Sequence, residues 1–319
     1  GRSCLCCASC WFDGARVGVD INRFGVAEGR TFIYVGVDDD EDCVQLVGAG
    51  GDDLIYSPTS TDDRYYLQGM EGDDTLVADT DAPGRSFMGG REGNDTYRYY
   101  SDAGDMRISI WGEPDGFGSD RFIFEDLNLA DVTFSTAPAT LTADGIYLVA
   151  TFTDANNDTH TVEFANKGGK INWFEFADGS VFDRILIEAN HHPSETEHQI
   201  LGTSGDDLII SPEGDTSYYL KGQDGDDTLI VQNDASGVGL LAGRNGDDTY
   251  IYYKSAGDVR ISEWGEGAGM GDDTLRFADL NLRDVSFSIV DTGSYAGSLE
   301  IAFSDGSKHS IYTDKGGSL

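Results

Sequence analysis

The stretch "GDDTLIVQND", Gly225 to Asp234, sets Asp226, Asp227 and Asp234 around a run of β-branched and aliphatic residues, directly after a glycine. The phrase recurs. Written as G-x-x-G-x-D-x-U-x, with U a large apolar residue, it occurs as "GAGGDDLIY" from Gly48, "GMEGDDTLV" from Gly69 and "GREGNDTYR" from Gly90. It returns as "GTSGDDLII" from Gly202, "GQDGDDTLI" from Gly222 and "GRNGDDTYI" from Gly243. Starts within each group of three lie 20 or 21 residues apart, and the second group follows the first at 153 or 154 residues. A fixed period of this length marks a stacked array of small units.

The duplication extends beyond the phrases. "AGDMRISIWGE" (Ala103 to Glu113) answers "AGDVRISEWGE" (Ala256 to Glu266), and "EDLNLADVTFS" (Glu125 to Ser135) answers "ADLNLRDVSFS" (Ala278 to Ser288). Nothing in the second copy matches "INWFEFADGSVFD" (Ile171 to Asp183), so the chain reads as a piece of a longer protein. We divide it into a Cys-rich segment over 1–44, a first module over 45–189, a linker over 190–199 and a second module over 200–319.

The 319 residues include 58 acids and 21 bases, a formal net charge of −37. Such a polyanion is a poor direct partner for nucleic acid or an anionic membrane surface, and it calls for cations. Apolar residues make up 39% and aromatics 11%, enough to build a core once the charge is neutralised. No apolar run approaches the length of a membrane-spanning helix, and no stretch has the pattern of a cleaved leader.

Glycines at the first and fourth positions of the phrase permit the positive φ of a tight turn, which aims carbonyls inward. The sixth-position aspartate adds a hard anionic oxygen, and the residues after it alternate as a short strand. One repeat then makes a full circuit of motif turn, strand, opposite turn and return strand. In the first module the pattern predicts strands at Leu54–Tyr56, Tyr65–Leu67, Thr75–Val77, Ser86–Met88 and Thr96–Tyr99. Stacking puts Asp53, Asp74 and Asp95 in a column one strand spacing apart, roughly 5 Å. Bare carboxylates at that spacing repel by about 3 kcal/mol per pair at an effective dielectric near 20. An all-oxygen cage between successive turns converts repulsion into coordination and selects Ca²⁺ over zinc, copper or Mg²⁺.

The six phrases resemble the glycine-rich nonapeptide of RTX (haemolysin-type) calcium-binding proteins. The segments "GNDTYRYYSDAGDMRISIWGE" and "FADGSVF" are similar to the extended haemolysin-related module of large secreted RTX proteins. The resemblance covers Gln45 to the C-terminus. It implies an all-β chain of two tandem parallel β-rolls, each followed by an antiparallel β-hairpin cap. It also implies several calcium ions, roughly two to four per module, export through type I secretion machinery, and folding in calcium-rich medium outside the cell or at its surface.

The candidate metal ligands fall into sets by position. The first-position glycines are Gly48, Gly69, Gly90, Gly202, Gly222 and Gly243. Third-position residues are Gly50, Glu71, Glu92, Ser204, Asp224 and Asn245; fifth-position residues are Asp52, Asp73, Asn94, Asp206, Asp226 and Asp247. The sixth-position aspartates are Asp53, Asp74, Asp95, Asp207, Asp227 and Asp248, and Asp120 and Asp273 supply a weaker fourth layer.

The far edge departs from the family pattern. "SPTSTDDRYY" (Ser57 to Tyr66) and "SPEGDTSYY" (Ser211 to Tyr219) lack its glycines, which predicts a single calcium edge per roll. Asp102, Asp105 and Asp258 read as solvated turn acids, with a ligand role on the far edge as the alternative. "GIYLVATFTDANNDTHTVEF" (Gly145 to Phe164) reads as a β-hairpin turning at Asp154 to Asp158. Its D-x-N-x-D spacing is that of an EF-hand start, but Thr159 and Ala165 stand where glycine and an acid belong, so a polar turn is the reading. Trp173, Phe174, Phe176 and Phe182 are expected to cover the open end of the first roll.

The pairs Tyr65-Tyr66, Tyr99-Tyr100, Tyr218-Tyr219 and Tyr252-Tyr253 read as half-buried packing; with Trp111 and Trp264, a sugar-stacking face is the alternative. His191, His192, Glu195 and His198 read as polar linker before zinc or nickel ligands. Cys4, Cys6, Cys7, Cys10 and Cys43 can form a metal knot or disulfides, or belong to a foreign stretch.

No nucleophile elbow, H-E-x-x-H or P-loop occurs, so the chain is expected not to be an enzyme. Two functions stand. One is a calcium-rigidified structural or adhesive module of a large secreted or cell-surface protein, with extracellular polysaccharide or a cell surface as partner. The other is the calcium-dependent export and folding module of a secreted hydrolase, pore-former or polysaccharide-modifying enzyme.

Overall fold

The computed structural model of the chain describes residues 25–26, 30–31, 33–35, 43–58, 64–109, 118–138, 146–165, 171–187, 197–212, 217–232, 238–262, 271–291, 297–303 and 310–313. It divides into two compact units, Gly1–Val181 and Phe182–Leu319. Cys4, Cys6, Cys7, Cys10, Trp111, Trp264, His191, His192 and Glu195 lie outside the described residues.

The first unit is a parallel β-roll. The chain leaves each motif turn into one sheet and returns through the other. Leu54–Tyr56, Thr75–Ala78, Thr96–Tyr99, Asp120–Phe124 and Ile171–Glu175 stack in parallel. The return sheet stacks Cys43–Val47, Arg64–Glu71, Ser86–Glu92 and Met106–Ile108, also in parallel. Two of the predicted strands, Leu54–Tyr56 and Thr96–Tyr99, coincide with those observed, and the others lie within longer ones.

A period of one repeat places like positions above one another, so the core is built of columns. Ile55, Leu76, Tyr97, Phe122 and Phe174 are register partners in sequence, and each is at most 3% exposed. Leu67, Met88, Ile108 and Phe164 form the matching column of the return sheet. Fully burying a Leu or Phe of these columns contributes about 1.5–3 kcal/mol. The first tyrosine of each pair belongs to the core: Tyr65, Tyr99, Tyr218 and Tyr252 are all buried, while their neighbours are only half-buried. Buried hydroxyls need partners, and Tyr65 donates to the Thr80 carbonyl at 2.9 Å and Tyr252 to that of Ala256 at 2.8 Å.

After the roll, the predicted hairpin forms between Ile146–Thr153 and Thr159–Phe164, and Thr133–Pro138 pairs antiparallel with its first strand. Thr159–Phe164 also pairs in parallel with Met106–Ile108, so the hairpin prolongs the return sheet. Asp105 fixes that junction by accepting from the Thr161 amide and hydroxyl at 2.8 and 3.0 Å, a structural task in place of the solvated one expected. The Asp154 carboxylate accepts from the amides of Asn156 and Asp158 at 2.9 and 2.7 Å, an Asx-type turn. Phe174, Phe176 and Phe182 are buried as expected, but Trp173 is 40% exposed. It alternates with Phe174 along one strand, so the two face opposite ways.

The second unit repeats the plan. Arg184–Leu186, Asp207–Ile210, Thr228–Val231, Thr249–Tyr252 and Thr274–Phe277 form one parallel sheet. Glu197–Leu201, Ser217–Asp224, Gly239–Asn245 and Val259–Ile261 form the other, continued by Ser310–Thr313, Leu299–Phe303 and Val285–Ile289. Arg184–Leu186, assigned from sequence to the first module, thus pairs within the second sheet system. Glu197–Leu201, drawn partly from the expected linker, does the same.

Candidate metal centre

The motif turns stack along one edge of each roll, and the strands that leave them carry the sixth-position aspartates inward. Asp53, Asp74, Asp95, Asp207, Asp227 and Asp248 are each at most 5% exposed, and Asp120 is 2% exposed. Each amide in the column reaches one layer forward. Asp53 donates to Asp74 Oδ1 at 2.8 Å, Asp74 to Asp95 at 2.9 Å and Asp95 to Asp120 at 3.0 Å. Asp207, Asp227 and Asp248 donate in the same way to Asp227, Asp248 and Asp273. Asp120 and Asp273 therefore form the expected fourth layers. In the first unit Asn172 tops the column, its Oδ1 accepting from the Asp120 amide at 3.1 Å.

These bonds consume Oδ1 and leave other oxygens over. Oδ2 of Asp74, Asp95 and Asp227, and Oδ1 of Asp207, are buried with no donor in reach. A buried carboxylate oxygen without a partner costs several kcal/mol or drives protonation. Desolvation accordingly pushes Asp74 up to about 7, Asp95 to about 6 and Asp227 to about 8, helped in Asp74 and Asp227 by the neighbouring aspartates of the stack and opposed throughout by the amide bonds. Desolvation also raises Asp207.

The first-position glycines explain themselves here, by a reason other than the one expected. None of Gly48, Gly69, Gly90, Gly202, Gly222 and Gly243 has a positive φ. A Cβ on Gly69 would instead collide with Asp74 Oδ2 and come within 2.7 Å of the Gly90 carbonyl oxygen. On Gly222 it would collide with Asp227 Oδ2 and lie 2.7 Å from the Gly243 oxygen. The glycine keeps open a cradle lined by a carboxylate oxygen and the next layer's main-chain oxygen. Positive φ belongs to the fourth position, at Gly51, Gly72, Gly93, Gly225 and Gly246, and to the second, where Met70, Arg91, Gln223 and Arg244 carry it without being glycine.

The candidate ligand set therefore divides. First and sixth positions meet inside the turn. Fifth-position side chains are exposed and form an outer ladder running the opposite way: Asp73 donates its amide to Asp52 Oδ1, Asn94 to Asp73, Asp226 to Asp206 and Asp247 to Asp226. Third-position residues are also on the outside; Gly50, Glu71, Glu92, Ser204 and Asp224 are exposed and Asn245 half-exposed. Their carbonyls serve the ladder, Glu71 accepting from Gly51 at 2.5 Å and Glu92 from Gly72 at 2.8 Å. Among the described residues, no three Asp, Glu, His or Cys side chains gather into one metal-holding group. A cation in these turns would draw on carbonyls for much of its shell.

Sequence reasoning missed four residues. Asp183 extends the outer ladder of the second unit, its amide donating to the Asp206 carbonyl at 2.7 Å while Arg184 stands opposite Asp207, and a Cβ on Gly205 would collide with its Oδ2; the signal was "FDRIL", a shortened form of "DDLII". Asn172 gave no local signal. Tyr97 and Tyr250 take the apolar position of the third phrase in each unit, and their hydroxyls accept from the Gly90 and Gly243 amides at 2.8 and 2.7 Å.

No protein-family model and no curated protein matches the chain. Among solved structures, the chain is similar to the extracellular lipase LipA from Serratia marcescens, with 17% identity and a TM-score of 0.26, over 85% of this chain and 40% of that one. The chain thus spans less than half of the lipase's length, and at that TM-score the likeness carries no inference.

Proposed function

We propose that this chain is a calcium-binding structural or adhesive module of a secreted or cell-surface protein, held compact by Ca²⁺ between its motif turns. One observation carries the reading. Buried, aligned carboxylate oxygens of Asp74, Asp95 and Asp227 lack donors, and each lies against a glycine cradle that a Cβ would fill. A hard divalent cation satisfies such oxygens, and an oxygen-only shell suits calcium. Asp74, Asp95 and Asp227 would hold it together with the carbonyls of Gly90 and Gly243. Bound calcium would supply the positive charge that lets these aspartates stay ionised while buried.

Calorimetric titration of the chelated protein, with circular dichroism on the same samples, tests this. About three ions per unit are expected, one for each interval between the four stacked aspartates. β structure should appear cooperatively with them. Asp74→Ala with Asp227→Ala should raise the calcium midpoint several-fold. A chelated protein as folded as the loaded one, or an unmoved midpoint, defeats the reading.

A further inference from the structure

Among the described residues, the final rungs of the two units differ in what covers them. Each residue of the final rung has its counterpart 153 positions on: Phe124 and Phe277, Leu127 and Leu280, Phe134 and Phe287. In the first unit this rung is covered. Ile171–Glu175 pairs in parallel with Asp120–Phe124, and Phe176 stacks on Phe124 at 5.0 Å and meets Phe134 edge-on at 6.3 Å. The segment then closes with Ala177 donating to the Leu127 carbonyl at 2.9 Å.

In the second unit, among the described residues, Thr274–Phe277 ends its sheet. Phe287 is 53% exposed where Phe134 is 6%, and Leu282 and Ile289 beside it are 78% and 59% exposed. A sheet edge next to an apolar patch is a template for another strand.

We infer that this edge is a seat for a phenylalanine-rich β-segment with the pattern of Ile171–Phe182, added in parallel to Thr274–Phe277. The first unit displays the occupant in place, and the second retains three of the groups that receive it: Phe277 and Phe287 for the ring of Phe176, and the Leu280 carbonyl for the closing amide; Thr274 stands where Arg121 pairs with Glu175. Charge adds specificity. In the observed register Glu175 stands opposite Ile123, whose counterpart in the second unit is Arg276. A segment seated in that register sets its acid against a guanidinium, in the manner of strand addition.

The test uses the full chain in saturating calcium and a labelled synthetic peptide of residues 171–183. Fluorescence anisotropy should show saturable one-to-one binding, and hydrogen exchange should slow over residues 274–277. Binding should weaken at least tenfold with Phe174→Ser and Phe176→Ser in the peptide, or with Phe287→Asp in the chain. Phe287 is half exposed, so that variant should keep the parent's circular dichroism. A Glu175→Lys peptide should bind several-fold more weakly, and an Arg276→Glu chain should restore it. Absence of binding, indifference to Phe287→Asp, or slowed exchange only over residues 120–124 overturns the inference. So does self-association of the free chain that protects 274–277, which would assign the edge to a second copy.

Discussion

The two edges of each roll solve one problem, turning a chain every ten residues or so, with opposite chemistry. On the far edge, acids meet donors: Ser57 donates its hydroxyl to Asp79 at 2.7 Å, and Ser101 gives its amide and hydroxyl to Asp126 at 2.8 and 2.7 Å. On the motif edge, acids meet acids, with main-chain oxygens beside them and buried oxygens left over. Among the described residues, these far-edge acids find their donors within the polypeptide. The motif edge is completed only by a proton or a cation, and that contrast can be attacked at three levels.

The largest effect is expected from filling the cradle. Gly222→Ala puts a methyl group where Asp227 Oδ2 sits, and overpacking of this kind costs about 1–3 kcal/mol before any lost ion is counted. Denaturation at saturating calcium should show the loss, and the calcium midpoint of folding should rise with it. Ser57→Ala on the far edge should cost about 1 kcal/mol at saturating calcium and move the calcium midpoint less. Equal calcium dependence in the two variants would erase the distinction between the edges.

A middle-sized effect concerns pH. Asp74, Asp95 and Asp227 have folded pKa values raised to about 7, 6 and 8, against roughly 3.9 in an unfolded chain. The folded state therefore binds more protons between about pH 4 and 8, and stability falls as pH rises through that window. In chelator, circular dichroism should show more β structure at pH 5 than at pH 8. Asp227→Asn should flatten that dependence, and β structure that grows with pH in chelator would show the motif edge to be satisfied without cations.

The smallest effect is local. Gln223 holds φ at 104°, a conformation that favours glycine, and it donates its side-chain amide to the Gly202 carbonyl at 2.5 Å. Gln223→Gly relieves backbone strain of about 1 kcal/mol and frees that oxygen. Thermal melts should show a small rise, larger with calcium than without.

Much of this was readable from the chain. A 20- or 21-residue period fixed which residues stack, so the aspartate columns and the strands Leu54–Tyr56 and Thr96–Tyr99 followed from local pattern alone. The Asp154 turn followed from its own side chain. What failed to show depends on neighbouring layers. The first-position glycines have ordinary φ, and their constraint is a carboxylate and a carbonyl brought in by folding. Asn172 reaches Asp120 across 52 residues of sequence, and no local rule joins them. Trp173 misled because aromatic composition says nothing of which alternate residue faces out.

The forward reach of the inner ladder gives the roll a direction. Every aspartate amide from Asp53 to Asp95 waits for a carboxylate that lies 21 or 25 residues downstream. A chain delivered from its N-terminus is therefore always one turn short, each layer holding an open donor until its successor arrives. In the first unit Asn172, which accepts from the Asp120 amide, is the last piece delivered, which makes the finished stack a record of complete delivery.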